Sequence, residues 1–232
     1  SIMRIIIRKR WIYNAIIIRY ESVVNYICLL ILGIKVQVIG DLPPANTAFL
    51  LVSNHMSYLD VPVICSNISG CFVTSEEIRK TPFLGWVCIL AGCLFVERRS
   101  RKNIHKEIAE ITEALNQGLP VHIFPEATST DGKEILRFRR PLYNGAIDSK
   151  KPILPVCINY ESLDGEPVTA ENHKSLCWYG DMTFADHLWK VTEYHDIRIS
   201  LTIMDMLDPN LTDKELAEQT QKLVTEKFQT LD

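Results

Sequence analysis

A histidine and an aspartate five residues apart, His55 and Asp60, are the residues of this chain best suited to proton chemistry. They lie in Ser53-Asn54-His55-Met56-Ser57-Tyr58-Leu59-Asp60, directly after the apolar run Ala48–Val52. On one regular helix five residues turn the chain through about 500°, so the two side chains would point about 140° apart. They can meet if His55 stands on a loop and Asp60 lies in the first turn of the next helix. Pro62 agrees with that placement, because proline is tolerated in a helix's first turn. A helix N-terminus also favours a carboxylate. Such an aspartate could hold one imidazole nitrogen and leave the other free as a base. That is the base and orienter of a catalytic triad, with a substrate supplying the nucleophile. The spacing alone is weak, since a neutral core histidine is commoner than a base. A place on a loop at a strand end strengthens it.

Two more polar clusters follow short apolar runs. Phe95-Val96-Glu97-Arg98-Arg99 follows Gly92-Cys93-Leu94, and Phe124-Pro125-Glu126-Ala127-Thr128-Ser129 follows Val121-His122-Ile123. An arginine just past a strand can grip phosphate with its guanidinium fork. The plainer reading of Arg98-Arg99-x-Arg101-Lys102 is a solvated basic run. Glu126, with hydroxyls beside it, could orient that arginine or a substrate; the plainer reading is the start of a helix. The chain has no Gly-x-Ser-x-Gly elbow, so an acyl-enzyme is disfavoured. Its seven cysteines show neither Cys-x-x-Cys nor zinc spacing. They read as small core hydrophobes in a reducing compartment, and no metal is expected.

The elements that must position these residues alternate. Lys35–Ile39, Ala48–Val52, Leu94–Val96, Val121–Phe124, Ile153–Ile158 and Ile197–Ile203 read as strands. Pro152 and Pro155 suggest that the fifth of these is an edge or carries a bulge. Ile104, Ile108, Ile111 and Leu115 make one face of a helix that Asn103 can cap and Gly118 can end. Thr212-x-x-Glu215 is a capping box opening a last helix, with Leu216, Leu223, Val224, Phe228 and Leu231 on its apolar side. Residues 160–195 are the least regular and read as an insertion over the sheet. The pattern predicts one α/β domain with a central sheet.

The 232 residues suffice for a core without disulfide or metal staples. Ten glycines and eleven prolines exclude a collagenous or low-complexity chain. A mean hydropathy of +0.05 excludes a multi-span membrane protein. The apolar residues are unevenly placed, though. Ser22–Ile34 is thirteen uncharged residues, too short to cross a bilayer, which takes about 20. Residues 1–40 hold six Lys/Arg against Glu21, a net +5 on a chain whose net charge is −3. A basic, apolar segment on an otherwise acidic protein predicts an interfacial membrane anchor; the plainer reading is a buried helical hairpin with a basic rim. A signal peptide is not expected. The predicted division is a membrane-associating helical segment over 1–34 and the main domain over 35–232.

Four blocks together carry a resemblance. Asn54-His55-x4-Asp60, Gly92-Cys93-Leu94-Phe95-Val96-Glu97-Arg98, Phe124-Pro125-Glu126-Ala127-Thr128 and Ile153-Leu154-Pro155-Val156 stand in the order and rough spacing of the glycerolipid, or lysophospholipid, acyltransferases. The chain resembles that family from about residue 35 to 205. The resemblance implies an α/β domain with a central mixed sheet. It implies that His55 is the general base and Asp60 its orienter, with Arg98, Glu126, Ala127 and Thr128 binding the acceptor. The implied reaction moves a fatty acyl group from acyl-CoA or acyl carrier protein to a lysophospholipid hydroxyl, with no cofactor and no nucleic acid. The implied place is the cytoplasmic face of a membrane, held peripherally or monotopically. Alternatives are a non-catalytic lipid-binding protein on the same fold, or a thioester hydrolase. The third block departs from the family's usual Phe-Pro-Glu-Gly-Thr-Arg: Ala127 replaces glycine and Ser129 replaces arginine. Family members with a small residue in place of that arginine often resemble enzymes acting on larger lysophospholipids or lyso-ornithine lipids. Ser75 stands before Glu76-Glu77-Ile78 where the family often has lysine, and Arg137, Arg139 and Arg140 are expected to replace the missing charge.

Overall fold

The six expected strands all form, and two more join them. The computed structural model describes residues 20–81, 85, 88, 93–96 and 104–231. The strands are β1 (Ile34–Ile39), β2 (Leu50–Ser53), β3 (Cys71–Ser75), β4 (Leu94–Val96), β5 (Val121–Ile123), β6 (Ile153–Leu163), β7 (Glu166–Pro167) and β8 (Ile197–Ile203). Their order is β1-β8-β6-β2-β5-β3-β4, with β7 a short hairpin partner of β6. β6, β2, β5, β3 and β4 run parallel, and β8 and β1 run the other way. The sheet is therefore mixed, as expected.

β6 takes one of its two expected alternatives, a bulge rather than an edge. It is not an edge strand: it lies between β2 and β8. Pro155 is tolerated because the ladder with β8 begins only at Val156, so its missing N–H falls at the ladder's end. Beyond the residues expected, β6 runs on to Leu163 through a bulge between Tyr160 and Ser162.

Helices cover both faces. α1 (20–31), α2 (Asp60–Cys65) and the insertion's α6 (Phe184–Val191) share one core with Leu51, Leu154, Val156, Ile158 and Leu201. Opposite them α4 (Ile104–Asn116), α5 (Asn144–Ser149) and α7 (Asp213–Lys227) pack on Leu50, Val52, Val121 and Ile153. A four-residue helix, α3 (Glu76–Arg79), follows β3. The capping box at Thr212 and Glu215 forms both of its bonds. Leu29 of α1 and Leu32 just after it are buried in the core. Its other side is not: Val23, Val24, Tyr26, Ile27, Leu30 and Ile31 are exposed, Ile31 to 78%. Among the described residues no helix is long and apolar enough to cross a membrane.

His122 lies at the centre of the sheet, fully buried, edge-on to Phe72 and directly against Gly70. Neither ring nitrogen meets a hydrogen-bond partner among the described residues. Burial depresses its pKa from 6.5 to about 3, so the ring is neutral when folded. Its contribution to stability is present above pH 6.5 and is lost as pH falls towards 3. Buried Glu21 and Glu126, both pushed up to about 7 by burial, act oppositely: their contribution fades as pH rises from 4.5 through 7. His122→Leu is therefore expected to stabilise the fold by about 1–2 kcal/mol at pH 7, since it removes two unsatisfied buried polar atoms. The gap from wild type should widen in acid. Urea melts at pH 7 and pH 5 check both points.

Candidate active site

β2 and β5 are parallel neighbours, with Val52 beside Ile123, so the chain leaves both strands at the same edge. The crevice at the carboxyl ends of parallel strands is where such sheets place ligands. From β2 comes Asn54-His55, and from β5 comes Phe124-Pro125-Glu126.

Asn54 fixes the exit. Its side chain is buried and works as a substitute strand: Nδ2 donates to Ile158 O at 2.9 Å and Oδ1 accepts from Ile158 N at 2.8 Å. Both amide groups are thereby used, which neither aspartate nor leucine could do. His55 then stands on the loop and Asp60 is the first residue of α2, the arrangement the sequence predicts. Nδ1 of His55 lies 2.8 Å from Oδ2 of Asp60. A carboxylate can only accept, so Nδ1 carries the proton. The imidazole lies flat on Phe124, 3.9 Å between centroids and 7° between planes, with its side chain 15% exposed.

Asp60 is completely buried and fully bonded. Oδ2 also accepts from Met56 N at 2.7 Å and Ser57 N at 2.9 Å, and Oδ1 accepts from the Tyr160 hydroxyl at 2.7 Å. Tyr160 comes from β6, a hundred residues away in sequence, and sequence reasoning missed it. Its only sequence signal is a polar-tipped aromatic on the inward face of an apolar strand.

Glu126 is placed in the site, buried, with both oxygens turned to backbone. Oε1 accepts from His55 N at 2.8 Å and Oε2 from Leu136 N at 2.7 Å. Burial pushes its pKa up to about 7, against the lowering effect of those two N–H groups; the Asp60 carboxylate adds to the rise. In this geometry it ties three loops together. Ala127 closes a turn, its N–H on Phe124 O at 3.0 Å, and takes φ +61°, where glycine is at home. An alanine there costs about 1–2 kcal/mol. Ala127→Gly is thus expected to stabilise the protein by about 1 kcal/mol, readable as a raised urea midpoint at unchanged m-value. The Thr128 side chain is exposed beside the turn. Ser129 donates instead to the carbonyl of Trp178.

Arg98 lies outside the described residues. β4, which it follows, runs parallel to β3, and its carboxyl end opens on the same edge as His55. Arg137 and Arg139 are exposed on a segment pinned beside the site by the Leu136–Glu126 and Arg139–Pro125 backbone contacts. The insertion proves to be the site's cover. Trp178 N donates to Met56 O at 2.8 Å, and Tyr58 packs edge-on against Trp178 and Phe184.

The arrangement is an imidazole whose Nδ1 proton is held by a buried carboxylate and whose Nε2 meets no hydrogen-bond partner among the described residues. Among the described residues no group of side chains could hold a metal ion.

Residues 34–159 match the family model described as Acyltransferase. The chain is 33% identical over 173 residues to a lyso-ornithine lipid O-acyltransferase of Rhodobacter capsulatus, covering 73% of this chain and 60% of that protein. It is 27% identical over 177 residues to a 1-acyl-sn-glycerol-3-phosphate acyltransferase of Neisseria gonorrhoeae, covering 76% and 67%. The match therefore spans about 60% of the length of the first of these relatives. In fold it resembles PlsC, the 1-acyl-sn-glycerophosphate acyltransferase of Thermotoga maritima, with a TM-score of 0.66 at 22% identity, over 91% of this chain and 78% of that one.

Proposed function

We propose that this chain, which belongs to the acyltransferase family, transfers a fatty acyl group from a thioester to the hydroxyl of a lysophospholipid or lyso-ornithine-type lipid. The observation that carries this reading is the His55–Asp60 pair, whose second ring nitrogen meets no hydrogen-bond partner among the described residues. The acceptor hydroxyl gives its proton to Nε2 as its oxygen attacks the thioester carbonyl. The tetrahedral intermediate collapses, the C–S bond breaks, and the departing thiolate takes the proton from the imidazolium. A thioester is already activated, so the enzyme needs no nucleophile of its own. The donor is acyl-CoA or acyl carrier protein. Arg98, Thr128 and the exposed Arg137 and Arg139 grip the anionic headgroup, and Ser129 in place of arginine favours a headgroup larger than a bare phosphate.

The experiment is a panel of lyso-lipids, each offered with acyl-CoA and with acyl carrier protein, reading free thiol with and without acceptor. Thiol release that requires an acceptor supports the proposal. Equal release without acceptor makes the protein a hydrolase, and none with any pair makes it a non-catalytic lipid binder.

Membrane docking at the cytoplasmic face belongs to the same proposal. The exposed apolar row of α1 and the basic residues before it support it. Exposed Ile27 and Ile31, both changed to Asp, should weaken binding to anionic vesicles about tenfold or more while leaving the fold intact. Unchanged co-sedimentation would count against docking through this face.

A further inference from the structure

We infer that Tyr160 is a positioning residue of the reaction: its hydroxyl, donated to Asp60, sets how strongly the Asp60 carboxylate holds the imidazole of His55. The Asp60 carboxylate has two unlike oxygens. Oδ2 takes His55, Met56 and Ser57, all from its own loop, whereas Oδ1, among the described residues, takes only the Tyr160 hydroxyl, at 2.7 Å. Both Tyr160 and Asp60 are buried, with exposures of 2% and 0%, so solvent does not replace this bond.

Tyr160 is also held independently of the loop. It lies on β6 and pairs with Ile199 of β8 just before the bulge, while Ile158, two residues earlier, receives the Asn54 side chain. One strand thus fixes both ends of the loop that carries the base. The bulge between Tyr160 and Ser162 breaks the register with β8 immediately after the residue. A hydroxyl donor drains charge from a carboxylate and lowers its grip on a facing cation. Besides His55 and Tyr160, the titratable groups facing Asp60 among the described residues are Glu126, from the turn after β5, and Cys177, from the cover.

This inference rests on the proposed acyl transfer, and the test separates the two. Tyr160→Phe is compared with wild type in the full chain, measuring kcat, both KM values, the pH–rate profile and the proton resonance of His55 Nδ1–H. The expected results are a kcat lower by about tenfold with KM values within about twofold. The acid limb should move to higher pH by about half a unit or more, because the more basic carboxylate holds the imidazolium harder. The Nδ1–H resonance should move as well. Fluorotyrosine at position 160, a stronger donor of nearly the same shape, should move the acid limb the other way, and it serves if the Phe variant does not fold. A profile and resonance superposable on wild type, or an equal loss at every pH, would overturn the role of Tyr160. If wild type transfers to no acceptor, the reaction assignment fails, and the resonance in the two variants still decides on Tyr160.

Discussion

His55→Ala is expected to abolish acyl transfer while leaving the protein folded. General-base catalysis is worth about 10²–10⁴-fold, and the proposed mechanism passes the acceptor's proton to His55. The fold should survive because the His55 side chain lies at the rim of its loop. Its backbone N–H to Glu126 and its carbonyl, taken by Thr130 N, remain after truncation. The substitution removes the stack on Phe124 and one of the four donors to Asp60. Circular dichroism and a urea melt should therefore stay near wild type while kcat falls. Near wild-type turnover in a folded His55→Ala protein would sink the mechanism.

Asp60→Asn should lose nearly as much activity and, unlike His55→Ala, some stability. The amide keeps the shape of the carboxylate but not its charge. If its oxygen faces His55, the Nδ1–H bond survives and the negative charge that offsets the imidazolium is gone. If its nitrogen faces His55, the ring must adopt the other tautomer, with the proton on the atom that should accept. Either way kcat should fall by about 10²–10⁴-fold, on the scale general-base catalysis supplies. The bonds from Met56 and Ser57 cease to be charge-assisted, so about 1–2 kcal/mol of stability should go as well. Asp60→Ala leaves those donors and the Tyr160 hydroxyl unmatched inside the protein and should cost more, about 3–5 kcal/mol. Turnover and urea unfolding of both variants check the order, and Asp60→Asn turnover within about threefold of wild type would refute the orienting role.

How much of this could be read from the sequence follows from the range over which each contact acts. The loop-then-helix placement of His55 and Asp60 was legible because a five-residue spacing and Pro62 are local constraints. Strands with apolar runs were legible for the same reason, as was the capping box at Thr212. β3 was missed, since its apolar run is only three residues, Cys71-Phe72-Val73, and runs straight into the polar Thr74-Ser75. Tyr160 and the Trp178 cover were invisible, because they reach the site only through the crossing from β2 to β6 and the return of the insertion. Glu126 was legible as a group that could orient an arginine or a substrate, but not as one whose oxygens accept from the N–H groups of His55 and Leu136. Those two contacts come from segments 71 and 10 residues away, beyond the reach of any local pattern.

The reversed pair β1 and β8 has a consequence for how the chain can fail. Ile34 pairs with Ile197 and Ile39 with Thr202, so β1 cannot dock until most of the chain has been made and ordered. Contacts so distant form late and slowly. Until then β8 offers an open row of N–H and C=O groups above Ile197, Ile199 and Leu201, a template for a second molecule. β1 is a safer edge, because Lys35 and Gln37 are exposed and Lys35 is tied to Asp196 at 3.2 Å. Weakening the β1–β8 seam should therefore lower refolding yield in proportion to protein concentration, with edge-to-edge association as the characteristic form of damage.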